Sequence, residues 1–187
     1  CYKNIMDYKN FFKEYTDSIF NLLKEVDTES INASVELIQK VQKNNKKIYI
    51  VGNGGSASIA SHTSVDFAKV ARVPSSTFNN ANLITCFSND YGYENWVTEA
   101  IKAYCNKDDL LILISSSGTS KNIVNAAKYC QNNNIDLITL SGFKKDNPLI
   151  KCGKVNFHVD SEEYNFIEMV HHIILVSLVD IFANKIF

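Results

Sequence analysis

The sequence predicts an α/β protein in which a parallel five-stranded sheet has helices on both faces and follows an N-terminal helical arm. Three observations lead to this fold class. Apolar side chains recur at helical spacing through the first 45 residues, with no strand pattern between them. From residue 46 onward, short apolar runs alternate with helical segments, which is typical of a parallel sheet covered on both faces. A long apolar helix at about residues 165–184 closes the chain.

The arm, residues 1–45, is expected to contain two helices. The apolar positions of the first are Phe11, Phe12, Tyr15, Ile19, Leu22 and Leu23. Polar residues 27–30 interrupt the pattern, and Ser30 is a suitable N-cap for the second helix. Residues 46–187 form the α/β core in one structural unit with the arm. An apolar arm of this kind either makes oligomer contacts or packs back on its own sheet, and the sequence leaves both open.

The alternating pattern of the core predicts its strands and helices in order. We expect strands at residues 48–51, 83–87, 110–114, 135–140 and 155–159, and helices at about 57–70, 95–106, 121–132 and 165–184. Cys86 falls within the second of these strands, so we expect it to be buried. His158 alternates with apolar neighbours along the fifth strand and is expected to be structural.

Composition excludes several classes of protein. The 187 residues are 45% apolar and carry a net charge of −1, which argues against disorder and against a nucleic-acid-binding protein. The five cysteines include no C-x-x-C pair, so we expect a reducing cytoplasm rather than disulfides. Residues 173–181 are too short for a membrane span and include Asp180, and residues 1–4 lack a signal core. We therefore expect no membrane partner.

Two strand-to-helix loops share an unusual chemistry. Residues 52–57 have the sequence G-N-G-G-S-A, and residues 114–120 have I-S-S-S-G-T-S. Helix N-termini bind anions, small residues let a backbone approach a phosphate, and hydroxyls add donors. Neither loop is G-x-G-x-x-G or a Walker loop, which disfavours dinucleotides and nucleoside triphosphates. One such loop would most simply be a capped turn. Two in one α/β unit favour a site for a phosphate monoester.

These loops, together with S-N-D-Y-G at residues 88–92, resemble the SIS (sugar isomerase) domain, and in particular its phosphoheptose isomerase branch. The resemblance covers nearly the whole chain. It implies a flavodoxin-like topology and conversion of sedoheptulose 7-phosphate to D-glycero-D-manno-heptose 7-phosphate for lipopolysaccharide or capsule precursors. It also implies a cytoplasmic homotetramer with sites at subunit interfaces and one zinc ion per site.

The resemblance also implies roles for individual residues. The loop serines would bind the phosphate, and Asn53 and Asp90 match positions that contact the sugar. The full set of expected substrate-binding residues is Asn53, Gly54, Gly55, Ser56, Asp90, Ser115, Ser116, Ser117, Ser120 and Glu168.

The metal and acid–base positions of the family are altered in this chain. The family has a His six residues after the loop serine and a Glu four residues later, which here are His62 and Asp66. On the last helix it has a Gln and, eight residues on, a His, which here are Glu168 and Val176. His172 lies midway between these two positions on the same helical stripe and could serve the same pocket. His171 points about 100° away and is the less suitable ligand.

These positions give a candidate mechanism. We expect Asp66 to be the base and His172, or else His62, to be its acid partner in a proton transfer between C1 and C2. The expected zinc ligands are His62, Asp66, Glu168 and His172. A metal ligand is a poorer base, so Asp66 would not hold both roles at once. For each residue alone, a structural or solvated role is also open.

Two other functions are compatible with these changes. The chain could isomerise a different sugar phosphate, or it could be a non-catalytic SIS module that binds a phosphosugar and regulates a partner such as a replication initiator. The aromatic residues Tyr91, Tyr93 and Trp96 could line the mouth of the site or lie in the core.

Overall fold

A computed structural model of the chain describes residues 8–184. It contains a five-stranded sheet in the order β2-β1-β3-β4-β5, and every neighbouring pair is parallel. The strands are β1 (Ile48–Val51), β2 (Ser75–Thr77), β3 (Leu110–Ser115), β4 (Asp136–Ser141) and β5 (Val155–His158). The strand order reverses at β1 and β3, and the carboxyl ends of such neighbouring strands form the crevice where doubly wound folds bind their ligands.

Seven helices cover this sheet within the described residues. They are α1 (Tyr8–Lys24), α2 (Thr28–Lys43), α3 (Gly55–Lys69), α4 (Ala81–Tyr91), α5 (Trp96–Tyr104), α6 (Lys121–Asn132) and α7 (Tyr164–Phe182). Alternate residues of the central strands belong to two separate cores. Ile48, Ile50 and Ile112 pack with α2, α3 and α7 on one face, while Leu111 and Leu113 pack with α5 and α6 on the other. The predicted fold class is confirmed.

The predicted second strand is wrong. Residues 83–87 lie inside helix α4, whose N-cap Asn80 accepts a hydrogen bond from the backbone of Asn82. Leu83 and Phe87, four residues apart, pack together against the core, so the apolar run is one face of a helix. The actual strand, β2, has only three residues, Ser-Ser-Thr, and so lacks an apolar signature. Cys86 therefore lies on the exposed side of α4 and is not a core residue.

The arm contains the two predicted helices, with one cap misplaced. Asp27, not Ser30, is the N-cap of α2, because its carboxylate accepts hydrogen bonds from the backbone of Glu29 and Ser30, both at 3.1 Å. Helix α2 buries Ile38 and Val41 in the core. Helix α1 has no fully buried residue and touches α7, where the rings of Tyr15 and Phe166 meet edge to face. The division at residue 45 stays a prediction.

Helix α7 is the main core helix of its face. By length and composition it could cross a membrane, which the shorter apolar run counted in the sequence did not indicate. In the fold, residues along one side of it are buried against the sheet: Ile167, Val170, His171, Ile174, Leu175, Leu178 and Val179. Residues 1–4, where the sequence lacks a signal core, and Cys1 with them, lie outside the described residues.

Candidate phosphosugar site

The two serine-rich loops meet at the carboxyl edge of the sheet. The first follows β1 and turns into α3 through Gly54, whose φ of 54° favours glycine. The second follows β3 and turns into α6, with Ser120 at the N-cap position. Their hydroxyls approach each other, since Ser56 Oγ lies 3.5 Å from Ser116 Oγ. The amino ends of two helices therefore converge on one point, where an anion is stabilised.

A cavity of about 120 Å³ lies at this point. Its walls are Asn53, Ser56, Ile114, Ser115, Ser116, Ser117, Ser120, Tyr164 and Glu168. Ser115 is 4% exposed, and its Oγ is buried without a hydrogen-bond partner in the described part of the chain. A buried hydroxyl without a partner is costly, and a ligand oxygen in the cavity would satisfy it. No Lys or Arg lines the cavity, so hydroxyls and helix ends supply its positive character.

The structure brings most of the predicted substrate residues together. Seven of them line the cavity, while Gly54 and Gly55 form the turn beside it. Asp90 is the exception: it lies in the last turn of α4, is exposed, accepts a hydrogen bond from Asn89 and does not line the cavity. The three aromatic residues differ in exposure: Trp96 is fully buried, while Tyr91 and Tyr93 are exposed.

Two asparagines that the sequence analysis missed hold the first loop in place. The side chain of Asn79 accepts from the backbone N–H of Gly52 and donates to its carbonyl, at 3.2 and 2.8 Å. Asn122 exchanges two 2.9 Å hydrogen bonds with Asn53, and Tyr93 Oη donates to the same Asn53 oxygen at 3.3 Å. Asn79 stands two residues beyond β2, so recognising that short strand would have placed it at the ligand edge of the sheet.

A third asparagine packs against the second loop. Asn147 is buried and donates to Ser141 Oγ and the carbonyl of Gly142, while its oxygen accepts from the backbone of Leu149 and Ile150. A Cβ on Gly118, whose φ is 66°, would lie 2.1 Å from that oxygen. The second loop can therefore take its shape only with glycine at this position.

Glu168 joins the cavity to helix α3. A Cβ on Gly55 would lie 2.1 Å from Glu168 Oε2, so the carboxylate sits directly against the first residue of α3. Gly54, the N-cap, makes no side-chain hydrogen bond to this helix end. A carboxylate at a helix amino end is favourable. Glu168 thus lines the cavity from α7 and at the same time stabilises the start of α3.

The predicted acid–base residues come together further along the same two helices, about two turns on along α3 and one turn on along α7. His62 Nδ1 lies 2.7 Å from His172 Nε2, with the two rings nearly perpendicular, and His62 Nε2 lies 3.1 Å from Asp66 Oδ2. We call these three side chains the histidine cluster. Burial and the neighbouring His62 lower the pKa of His172, and Asp66 opposes the shift. The His62 side chain is 52% exposed, so the cluster is open to ligands.

Residues 8–184 do not show the metal-binding geometry that the zinc prediction requires. No three His, Cys, Asp or Glu side chains there are arranged to hold a metal ion. The facing nitrogens of His62 and His172 are bonded to each other, and Glu168 lies against Gly55. Zinc stays a prediction.

The other two histidines have structural environments. His171 is completely buried, its Nε2 bonds to the carbonyl of Ser141, and burial lowers its pKa to about 4. His158 contacts the carbonyl of Phe143 at 3.2 Å through Nε2.

A doubly wound sheet with two hydroxyl-rich loops meeting at a small, lysine-free cavity defines a phosphosugar-binding α/β domain. A family model described as "SIS domain" matches residues 11–142, and the chain belongs to this family. The resemblance found in the sequence is confirmed.

Two similar proteins are named phosphoheptose isomerases. "Phosphoheptose isomerase 2" of Campylobacter jejuni is 40% identical over 119 residues, which are 59% of this chain and 58% of that protein. A phosphoheptose isomerase of Helicobacter pylori is 33% identical over 168 residues, 84% of this chain and 86% of that protein. The match to the Campylobacter protein thus leaves more than a third of its length uncovered.

Solved structures match the fold. Phosphoheptose isomerase GmhA from Neisseria gonorrhoeae superposes with a TM-score of 0.84 at 22% identity, over 93% of this chain and 98% of that one. The Vibrio vulnificus NanR protein complexed with ManNAc-6P has a TM-score of 0.70 at 18% identity, over 97% of this chain and 62% of that one.

Proposed function

We propose that this protein is a ketose–aldose isomerase that converts sedoheptulose 7-phosphate to D-glycero-D-manno-heptose 7-phosphate. The observation that carries the proposal is the buried, partnerless hydroxyl of Ser115 in a cavity walled by two serine loops. A phosphate group satisfies such donors. The names of the Campylobacter and Helicobacter relatives support the heptose substrate.

The spacing between cavity and histidine cluster suits this substrate. Helices α3 and α7 run side by side in the same direction, since Gly55 meets Glu168 and His62 meets His172. The six residues from Ser56 to His62 rise about 9 Å along α3. Six C–C bonds of about 1.5 Å each zigzag over about 7 Å. A phosphate on C7 in the cavity would therefore leave C1 and C2 near the cluster.

The chemistry needs a group that moves a proton between C1 and C2 and partners for the enediolate oxygens. We assign proton transfer to the histidine cluster of Asp66, His62 and His172, because the other histidine at this level of α7, His171, is completely buried. Phosphate binding at the far end fixes the reacting carbons without taking part in the reaction.

The proposal includes assembly into a homotetramer and a location in the cytoplasm. It also includes a role in making heptose precursors of surface polysaccharides. Helix α1 supports an assembly, since it exposes Phe11, Phe12 and Phe20 by 50% or more. Its contact with α7 through Tyr15 shows that part of the arm packs back on its own chain. Light scattering on the purified protein would give the mass, and a monomer would remove this part of the proposal.

The alternative is a phosphosugar-binding protein without catalysis. It is favoured by Val176, which replaces a family histidine with a side chain that cannot transfer protons, and by the likeness of fold to a NanR protein that holds ManNAc-6P. The phosphate cavity serves either function equally well.

Incubation with sedoheptulose 7-phosphate in D2O, followed by NMR, separates the two. We expect aldose to form with solvent deuterium at C2. Thermal stabilisation by the sugar phosphate without any deuterium incorporation would establish the binding protein instead. Asp66→Asn should lower the rate of incorporation at least about tenfold and keep the stabilisation. Ser58→Ala, an exposed serine on α3 outside the cavity, is the matched control and should change neither.

A further inference from the structure

The histidine cluster has the order of a hydrogen-bonded chain, from Asp66 through His62 to His172. Each link is short enough for one hydrogen bond, at 3.1 and 2.7 Å. We propose that this series of hydrogen bonds, and not a zinc ion, organises the acid–base end of the site. In it, Asp66 and His62 are positioning residues, and His172 Nδ1 is the atom presented to the substrate. The inference deepens the proposed isomerase and rests on it for its catalytic part only.

The direction of the hydrogen bonds follows from the acceptor at the end. An ionised Asp66 can only accept, so His62 Nε2 carries the hydrogen of that bond. The Nδ1 of a neutral His62 is then an acceptor, so His172 Nε2 carries the hydrogen of the second bond. This leaves the lone pair of His172 on Nδ1. That atom has no hydrogen-bond partner among residues 8–184, and the His172 residue is only partly buried.

Proton transfer along this chain is balanced. When His172 Nδ1 takes a proton from the substrate carbon, the C–H electron pair stays in the enediolate. The hydrogen on His172 Nε2 can then pass to His62 Nδ1, which places the positive charge beside the Asp66 carboxylate. Return of the proton to the neighbouring carbon, together with transfer of the O1 hydroxyl proton to O2 within the enediolate, completes the isomerisation, reverses both transfers and restores the starting tautomers.

The same geometry does not suit a metal ion. Two imidazole nitrogens on one zinc ion, each at about 2.0–2.1 Å with a tetrahedral angle, stand about 3.3 Å apart with both lone pairs aimed at the metal. Here they are 2.7 Å apart and aimed at each other. The remaining nitrogen of His62 is bonded to Asp66. The atoms that would ligate zinc therefore satisfy one another.

The short side chain of Asp66 fits this arrangement. His62 and Asp66 are four residues apart on one helix, so a one-methylene carboxylate reaches the imidazole of its own helix. His172 occupies the opposite end of the chain one helical turn before Val176. Both departures from the family pattern, Asp66 and Val176, thus belong to one rearrangement.

The test is NMR of the imidazole nitrogens in the ¹⁵N-labelled full chain. There are four histidines, so single substitutions assign every signal. We expect His62 and His172 both to carry hydrogen on Nε2, with a ¹⁵N–¹⁵N coupling across the bond between His62 Nδ1 and His172 Nε2. One equivalent of ZnCl2 should leave these signals in place. A His172 tautomer with hydrogen on Nδ1, or loss of the coupling on adding that zinc, would overturn the proposal.

Variants test positioning separately from folding. In Asp66→Ala, the His62 signals should shift to a mixture of tautomers while the His171 signals stay unchanged; an unaltered His62 tautomer would contradict the order of the chain. Val65→Ala, the exposed neighbour on α3, is the matched control and should alter neither. Asp66→Ala should also lower the kcat of deuterium exchange at least about tenfold with little change in KM. If the protein proves not to be an isomerase, the NMR result still decides the hydrogen-bonded chain.

Discussion

The phosphate cavity and the histidine cluster lie on the same two helices but are built in different ways. The cavity is made from helix ends, glycines and buried serines, and its first loop is held by Asn79 and Asn122. The cluster is made from side chains on helix faces, which are partly exposed and bonded to one another. Backbone-built sites resist change, whereas a cluster of side chains can be rearranged without moving a helix. This explains why the loops match the family pattern and the cluster departs from it.

Replacing His172, the end of the histidine cluster, should separate the roles of the two regions most clearly. His172→Gln keeps a polar side chain but cannot cycle a proton, so we expect kcat to fall about 100- to 10,000-fold. Affinity for sedoheptulose 7-phosphate should stay within about threefold, since the cavity is untouched. Exchange kinetics and calorimetry measure the two effects. Met169→Leu, on the exposed side of α7, is the control; a parallel loss of affinity in His172→Gln would mean that the two regions are not separable.

The opposite result is expected from the cavity. In Ser56→Ala/Ser116→Ala both facing hydroxyls are lost, and hydrogen bonds to a charged group contribute about 1.5–3 kcal/mol each. We expect affinity to fall at least about 100-fold by calorimetry, with kcat at saturation changed far less. Unchanged affinity would show that the phosphate binds elsewhere. Ser58→Ala again serves as the control.

Gly55 tests the point where the two regions touch. In Gly55→Ala the new methyl would overlap the Glu168 carboxylate, and relieving such overpacking costs about 1–3 kcal/mol. We expect sugar-phosphate affinity, measured by thermal shift, to fall about tenfold. Gly55→Ala/Glu168→Ala removes the overlap and should recover the fold stability lost in the single variant. A single variant as stable and as tightly binding as the parent would contradict the contact.

A variant remote from both regions should leave both unchanged and affect stability alone. Asp136, at the start of β4, is almost fully buried and bonds to Lys40 of the arm at 2.8 Å and to Lys154. Because both lysines are half exposed, Asp136→Asn should cost only about 1–2 kcal/mol in the free energy of unfolding. Binding and exchange should stay unchanged; the matched control is Asp17→Asn on the exposed side of α1.

The pH dependence of that difference follows from the pKa of Asp136. Burial alone would raise it, but the hydrogen bonds from Lys154 and Lys40 outweigh burial and lower the pKa below 3.8. The carboxylate therefore stabilises the fold above the unfolded-state value, and this is lost as pH falls through the lower folded value. The Tm gap between parent and Asp136→Asn should be constant from pH 7 to pH 5 and shrink below about pH 4. A gap that widens in acid would contradict the ion pair.

The sequence predicted the parts of the molecule that have a local cause. Strand β3 is six buried apolar and small residues followed by the serine loop, so both could be recognised from the chain. Strand β2 could not, because its three polar residues are a strand only through pairing with β1. The position of Asp90 outside the cavity could not be predicted for the same reason, since the helix that carries it was taken for that strand. The contact between His62 and His172 joins positions 110 residues apart, and no local sequence pattern predicts such a contact.

Helix α7 should tolerate substitutions better than insertions or deletions. One side of it fills the core through Val170 and Ile174, and another presents Glu168 and His172. Adding or deleting a single residue at its start would turn every later side chain by about 100° and move both sides away from the surfaces that they contact. Helix α7 can therefore accept single substitutions but not a change in length. Families of this fold should show substitutions along α7 while their gaps accumulate in the loops on either side.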